Sequence, residues 1–230
     1  MRFDVLTLFP DMFKEVLGTS ILKRATQAGA LSVHLHDIRE AATGIHRTVD
    51  DTPYGGGAGM VLKVDIVDVA LQGVKALNEV TDIAPNGQRT VLLCPQGRRL
   101  TQPLARELAQ LDQLTLICGH YEGYDERIRS LVDLELSIGD YVLTGGELPA
   151  MVLIDCLTRL QPGVIHADAP DEESFTLEDA DGRALLEYPH YTRPVEYNGM
   201  EVPEILRSGN HAAIRKWRLE QAITRTDARA

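Results

Sequence analysis

Two kinds of hydrophobic pattern alternate along the chain. Short apolar runs predict strands, at 2–8, 31–35, 90–94, 114–118 and 134–137. Longer segments, most with apolar residues three or four positions apart, predict helices at 12–28, 64–77, 101–111, 124–131, 146–160, 202–206 and 210–224. Nearly continuous apolar strands that alternate with helices are typical of a parallel, covered sheet. The pattern therefore predicts an α/β domain.

Three of the predicted strands run directly into glycine loops, at 95–97, 119–123 and 138–140. Ligands of open α/β sheets bind outside the carboxyl ends of the strands. These loops present many backbone amides and carbonyls, an acidic group and apolar side chains. That combination suits a small ligand with an adenine ring, a ribose and a charged tail, although tight turns alone would also explain it.

A dense glycine run at 54–60 invites a dinucleotide-binding interpretation, but its spacing does not fit. The G-x-G-x-x-G pattern needs glycine where Met60 or Leu62 stands, and no G-x-x-x-x-G-K-[ST] motif is present. A nicotinamide oxidoreductase and a P-loop protein are therefore excluded. The run permits close backbone approach or positive φ, and a mobile loop remains an equal alternative.

The charge distribution is asymmetric. The net charge of −11 argues against an indiscriminate nucleic-acid binder, whose surface is usually basic. However, residues 206–230 hold six Lys or Arg and His211 against only Glu220 and Asp227. Before them, residues 167–181 are acidic and almost free of apolar periodicity, which is typical of a flexible linker. We therefore expect a domain at 1–162, a linker at 163–182 and a small helical domain at 183–230.

Cysteine usage and the N-terminus indicate a cytosolic protein. Cys94, Cys118 and Cys156 are odd in number, lie in apolar contexts and lack metal-binding spacing, so we expect three buried thiols and no zinc. No apolar run approaches the roughly 18 residues of a membrane span. The first ten residues lack the basic start and cleavage site of a signal peptide.

Several longer motifs run in a fixed order over nearly the whole chain. They are Leu8-Phe9-Pro10, His46-Arg47-Thr48-Val49-Asp50-Asp51, Pro53 to Gly57 with Gly59-Met60, Cys118-Gly119-x-Tyr121-Glu122-Gly123-x-Asp125-Glu126-Arg127, Ser137 to Leu143 with Gly145-Gly146-Glu147, Tyr191-Thr192-Arg193-Pro194, Ser208-Gly209-Asn210-His211 and Trp217-Arg218. With these motifs the chain resembles the bacterial tRNA (guanine-37-N1)-methyltransferases. The resemblance implies methyl transfer from S-adenosyl-L-methionine to N1 of guanine 37 in tRNA, with Mg²⁺ as a candidate activator.

The resemblance also implies an architecture that periodicity does not show. It is a SPOUT-type parallel-sheet domain with a deep trefoil knot, an exception to the rule that chains do not thread loops, followed by a small helical domain. The family forms homodimers with active sites at the subunit interface.

The resemblance assigns roles to individual residues. Arg159 matches the family's arginine that stabilises charge on guanine O6, and Glu173 occupies the place of its general base. The implied donor-binding residues are Leu92, Leu93, Cys94, Gly119, Tyr121, Glu122, Gly123, Ile138, Gly139, Asp140, Tyr141, Val142, Leu143, Gly145 and Gly146. The implied tRNA-binding residues are His46, Arg47, Asp50, Ser208, His211, Arg215 and Arg218.

Two features depart from the family pattern. The family's base is an aspartate before Ser-Phe, whereas Glu173 precedes Ser174 here, and the preceding segment is about one residue short. Asp171 or Glu172 is therefore an alternative base. The chain also ends at Ala230, somewhat early for the family.

Two rival functions stay open. A methyltransferase of the same fold acting on another RNA base would keep the donor loops but not the 46–51 and 208–211 motifs, and both are present. A non-catalytic RNA-binding relative would keep those motifs and lose the base, which the glutamate at 173 leaves conceivable.

Overall fold

The computed structural model describes residues 1–81, 87–166 and 172–229, which form two compact units, Met1–Ile165 and His166–Ala230. The strands are β1 (Arg2–Thr7), β2 (Ser32–Asp37), β3 (Asp50–Asp51), β4 (Val61–Leu62), β5 (Gln88–Arg99), β6 (Gln113–Cys118), β7 (Leu134–Ser137), β8 (Glu196–Tyr197) and β9 (Met200–Glu201). The helices are α1 (Lys14–Leu17), α2 (Ser20–Gln27), α3 (Val64–Thr81), α4 (Gln102–Leu108), α5 (Glu147–Thr158), α6 (Glu204–Arg207) and α7 (His211–Arg229). Short 3₁₀ helices cover Pro10–Phe13, Ile38–Ala41 and Glu126–Leu131.

The first unit is built on a five-stranded sheet with the order β2-β1-β6-β5-β7. Every neighbouring pair in it is parallel. All six residues of the central strand β6 are buried, as expected for a strand covered on both faces. The predicted parallel α/β domain is thereby confirmed.

Alternation along the strands divides the core into two layers. Phe3 and Val5 of β1 pack in one buried cluster with α2, α4 and α5, whereas Leu6 packs in a second cluster with α3. In β5, Leu93 belongs to the first cluster and Leu92 to the second. This follows from the two-residue period of a strand, which sends successive side chains to opposite faces.

The structure corrects three local predictions. Strand β5 runs to Arg99 rather than ending at residue 94, because Gly97 has no side chain and lies against the backbone of β7, where pairing resumes at Arg98 and Leu136. The segment predicted as a helix at 124–131 forms a 3₁₀ helix over Glu126–Leu131. Among the three cysteines, Cys156 is half-buried rather than buried, and it packs at the margin of the first core cluster.

A carboxylate lies inside the first strand. Asp4 is fully buried and is bonded by Arg2 Nε at 2.8 Å, His36 Nε2 at 2.7 Å and Gln113 Nε2 at 2.7 Å. Burial alone would raise the pKa of Asp4, but the hydrogen bonds of His36 and Arg2 lower it below its usual value. The charge is tolerated in an apolar strand because the side chains of Arg2, His36 and Gln113 hydrogen-bond it.

The second unit has a small core around Leu185, Tyr188 and Ala222, with α7 as its longest element. Residues 172–182, which the sequence assigns to an acidic linker, form backbone hydrogen bonds within this unit, among them Phe175 N to Leu185 O at 2.7 Å. The predicted helices at 202–206 and 210–224 correspond to α6 and α7.

Candidate functional site

A cleft opens beside Leu93, Cys94 and Pro95 of β5 and beyond the carboxyl ends of β6 and β7, where the glycine loops at 119–123 and 138–140 converge. It encloses about 680 Å³, counting the part open to solvent. Its lining consists of Leu93, Cys94, Pro95, Gly119, His120, Tyr121, Glu122, Gly123, Tyr124, Leu136, Ser137, Ile138, Gly139, Tyr141, Val142, Leu143, Thr144, Gly145, Gly146 and Pro149. Segments that are far apart in the sequence thus line one cleft at the edge of the sheet where ligands of open α/β sheets bind.

Thirteen of the fifteen predicted donor-binding residues line this cleft, and two do not. Leu92 is fully buried on the opposite face of β5, in the cluster with α3. Asp140 is exposed, and its carboxylate accepts a hydrogen bond from Arg99 at 3.4 Å. The lining residues that the sequence did not single out, such as Ser137 and Thr144, lie beside or within the same motifs.

The walls combine apolar side chains with open backbone. Leu93, Ile138 and Leu143 all line the cleft, and Leu143 is 39% exposed although apolar. Gly123 and Gly139 have φ of 145° and 158°, which turn their peptide groups in ways that other residues rarely adopt. Apolar faces beside turned peptide groups suit a planar base, which needs contacts on its faces and hydrogen bonds at its edge.

Two of the segments that line the cleft touch each other. Gly146 N donates to Gly119 O at 2.8 Å. A Cβ on Gly146 would lie 2.7 Å from Cys118 Cα and 3.0 Å from Gly119 N. Gly146 has φ of −83°, so glycine is required there by space and not by backbone conformation.

The glycine run at 54–60 is held against the loop after β6. Glu122 N donates to Met60 O at 3.1 Å, and Leu62 N donates to Gly123 O at 3.0 Å. Gly59 has φ of 81°, and a side chain on it would overlap Glu122. Of the two interpretations that the sequence left open, close backbone approach therefore describes Gly59.

Tyr121 joins the cleft to the 46–51 motif. Burial raises the pKa of this phenol, the nearby carboxylate of Asp50 raises it further, and Arg39 opposes them. Asp50, predicted as a tRNA contact, therefore lies beside a residue predicted to bind the donor. Arg39 also donates to Leu8 O at 2.7 Å, and no sequence motif had pointed to it.

A buried carboxylate to which the sequence analysis gave no role lies near His120 of the cleft lining. Glu147 is 2% exposed and accepts a hydrogen bond from Thr7 Oγ1 at 2.8 Å. Its other oxygen lies 4.0 Å from Nδ1 of His120, whose ring stacks at 4.8 Å from that of Phe9. Phe9 and Glu147 both belong to the motifs that carry the resemblance, which was the available signal.

The two predicted catalytic residues belong to different units. Arg159 follows the last turn of α5 and is half-buried in the first unit. Glu173 is half-buried in the second unit, and its carbonyl accepts hydrogen bonds from Thr176 N and Leu177 N, both at 3.1 Å. The alternative base Asp171 lies outside the described residues.

The predicted RNA contacts are mostly solvent-facing. His46, Arg47, His211 and Arg215 are exposed. The hydroxyl of Ser208 accepts from Asn210 N at 3.1 Å and donates to Ile205 O at 2.8 Å, so it shapes the turn before α7.

Arg218 is less accessible than these residues. Its guanidinium lies 4.6 Å from the centre of the Tyr188 ring.

The described residues contain neither a helix that could span a membrane nor a group of side chains placed to hold a metal ion. Over residues 1–81, 87–166 and 172–229, none of the helices has both the length and the apolar character needed to cross a membrane. The same residues contain no group of three or more His, Cys, Asp or Glu placed to hold a metal ion.

Comparison with known proteins identifies close relatives. The chain matches the family described as tRNA (Guanine-1)-methyltransferase TrmD over residues 1–230. A protein named tRNA (guanine-N(1)-)-methyltransferase from Chloroflexus aggregans is 56% identical over 230 residues, which are 100% of this chain and 86% of that protein. A protein of the same name from Geobacillus kaustophilus is 54% identical over 228 residues, 98% of this chain and 88% of that one. A third, from Bacillus velezensis, is 53% identical over 227 residues, covering 98% and 89%.

Proposed function

Because the chain belongs to the tRNA (guanine-1)-methyltransferase family, we propose that it methylates N1 of guanine 37 in tRNA with S-adenosyl-L-methionine as donor. The observation that carries the proposal is the cleft beside β5 and beyond the ends of β6 and β7, since thirteen residues that the family pattern assigns to donor binding line it together. The substrate also suggests the cytoplasm as the compartment. Mg²⁺ stays a candidate activator.

The cleft has the chemistry that the donor needs. We propose that Leu93, Ile138 and Leu143 contact the two faces of the adenine ring and that the loop backbones bond its edge. Glu122 is the acidic residue of the cleft lining and is a candidate partner for the donor's hydroxyl or ammonium groups. Asp140, which pairs with Arg99, is proposed to shape its loop rather than to touch the donor.

We assign the proton transfer to Glu173 and the charge stabilisation to Arg159. Guanine N1 is a poor nucleophile until it loses its proton, and a positioned carboxylate contributes about 10²–10⁴-fold by accepting it. Negative charge then develops on O6, where a guanidinium is a fixed planar donor. The N1–C bond forms as the S–CH₃ bond breaks, the sulfur keeps the electron pair, and the proton stays on the carboxylate.

The finer architecture of the family is also part of the proposal. After the edge strand β7 the chain returns to the end of β6, where Gly146 bonds Gly119, and this crossing supports the trefoil knot. Leu148 and Val152 lie one turn apart on α5 and are 50% and 46% exposed. Such an apolar stripe supports a homodimer interface next to the cleft.

The remaining assignments concern tRNA. We propose that residues 1–162 bind the donor, that 163–182 carry the base, and that 183–230 bind tRNA. The exposed His211 and Arg215 are proposed to contact phosphates, which position RNA without reading its sequence. His46, Arg47 and Asp50 are proposed to contact the anticodon loop.

A methylation assay tests the proposal directly. Labelled S-adenosyl-L-methionine is incubated with two anticodon stem-loop transcripts that differ only in guanine or adenine at position 37. We expect label on N1 of guanine and none on adenine, because adenine N1 carries no proton and adenine has no O6. Equal methylation of adenine would refute the deprotonation step, and methylation of neither would refute the function.

A further inference from the structure

Three side chains of the second unit meet at the residue next to the proposed base. The phenol of Tyr188 donates to Glu172 Oε2 at 2.6 Å. The guanidinium of Arg218 lies 3.7 Å from the same oxygen and stacks 4.6 Å above the Tyr188 ring. We call Glu172, Tyr188 and Arg218 the Glu172 clamp.

The tyrosine of the clamp is a fixed donor. Its ring is 6% exposed and belongs to the core with Leu185 and Ala222. Burial, together with the hydrogen bond to Glu172, raises the pKa of Tyr188 to about 12. The phenol therefore keeps its proton throughout the neutral range and anchors the carboxylate to the core of the second unit.

The residues on the other side of Glu173 are held as well. The amide of Glu187 donates to Ser174 Oγ at 2.9 Å. The carbonyl of Glu173 itself accepts from the amides of Thr176 and Leu177. The backbone of Glu173 thus lies between two anchored neighbours, and every one of these contacts is inside the second unit.

We propose that the Glu172 clamp positions Glu173 for proton abstraction, so that Glu172, Tyr188 and Arg218 are positioning residues of the methyl transfer. The clamp gives Glu172 a positioning role rather than that of the base, because its carboxylate is engaged by both Tyr188 and Arg218. Arg218 acts mainly through Glu172 rather than on a phosphate. This inference rests on the proposed function and on Glu173 as its base.

Single-turnover methylation at saturating donor and tRNA tests the clamp. Tyr188→Phe removes only the hydroxyl, and Glu172→Gln removes only the charge. We expect each to lower the rate about tenfold. The double variant should lower it hardly further, because both changes weaken the same contact between Tyr188 and residue 172. Donor affinity should stay unchanged. Glu178→Gln is the matched control, since Glu178 is an exposed carboxylate of the same segment, and it should keep the wild-type rate.

The pH–rate profile distinguishes positioning from catalysis. In Glu172→Gln the remaining activity should keep the wild-type limb that reports the base, whereas Glu173→Gln should lose it. A wild-type rate in both Tyr188→Phe and Glu172→Gln would overturn the clamp. So would complete loss of turnover and of the limb in Glu172→Gln with a normal Tyr188→Phe, because Glu172 would then be the base.

Arg218→Gln separates positioning from RNA binding. The clamp predicts a lower single-turnover rate at saturating tRNA, with an unchanged dependence of tRNA affinity on salt. A phosphate contact predicts the reverse, a normal rate and a salt slope reduced by about 1, and that result would overturn the clamp.

Amide hydrogen exchange gives a readout that needs no activity. In Tyr188→Phe the amides of Thr176 and Leu177 should exchange faster than in the wild type, while peptides of α5 should not change. If the wild type methylates no tRNA, the proposed function fails, and exchange still decides whether the clamp holds this segment. Unchanged exchange at 176–177 would overturn the clamp.

Discussion

Substitution of Gly146 by alanine tests the close approach of the loops that form the cleft. The new Cβ would lie 2.7 Å from Cys118 Cα and 3.0 Å from Gly119 N, and both of these are backbone atoms that cannot rotate away. Ordinary carbon–carbon contact is about 3.5–4.0 Å, so the loops must separate by about 1 Å. Overpacking of this kind costs about 1–3 kcal/mol.

The assays are thermal unfolding and calorimetric titration with S-adenosyl-L-methionine. We expect Gly146→Ala to lower the melting temperature by about 2–12 °C, since 1 kcal/mol corresponds to about 2–4 °C for a chain of this size. Donor affinity should fall at least about tenfold, because the 2.8 Å bond from Gly146 N to Gly119 O lengthens and the cleft changes shape.

The matched control is Gly73→Ala. Gly73 lies inside α3, and a Cβ there would meet nothing within 4 Å. Alanine at an open helical position should raise the free energy of unfolding by about 0.5–1 kcal/mol and leave donor affinity unchanged. A Gly146→Ala protein with wild-type melting temperature and donor affinity would refute the steric argument.

Three further outcomes are expected. Arg159→Lys keeps the charge but loses the planar fork, so turnover should fall far more than donor affinity, and unchanged turnover would remove Arg159 from the mechanism. Glu173→Gln should abolish most turnover with donor binding intact, while Glu173→Asp keeps moderate activity; if Asp171→Asn is the inactivating change instead, the base lies two residues earlier. Asp4→Asn should destabilise the fold at pH 7. The pKa of Asp4 is lower in the folded protein than in the unfolded chain, where it is about 3.9, so the ionised carboxylate stabilises the fold above that pH. That difference should begin to shrink in urea titrations as the pH falls below about 3.9, and it should be lost only once the pH has passed through the lower pKa of Asp4 in the folded protein.

Local sequence patterns were sufficient to predict most of the strands and helices and to indicate the family. Strand β6 was predictable because six consecutive residues are buried on both faces and therefore apolar or uncharged. The glycine loops after β6 and β7 indicated the candidate site, since parallel strands place their carboxyl ends at one edge. The motifs through Gly119 and Gly146 then indicated the donor, because they carry the family resemblance that implies it.

The remaining features depended on contacts between residues far apart in the chain. Alternation separates Leu92 from Leu93, but only the packing of α3 and of the loops decides which of them faces the cleft. The pairing of Gly59 with Glu122 joins segments more than sixty residues apart. In the sequence Glu172 is one acid of an acidic run, and only the fold shows that Tyr188 and Arg218 contact it. Periodicity reports the average side on which a residue lies, whereas these partners are selected by the shape of the folded chain.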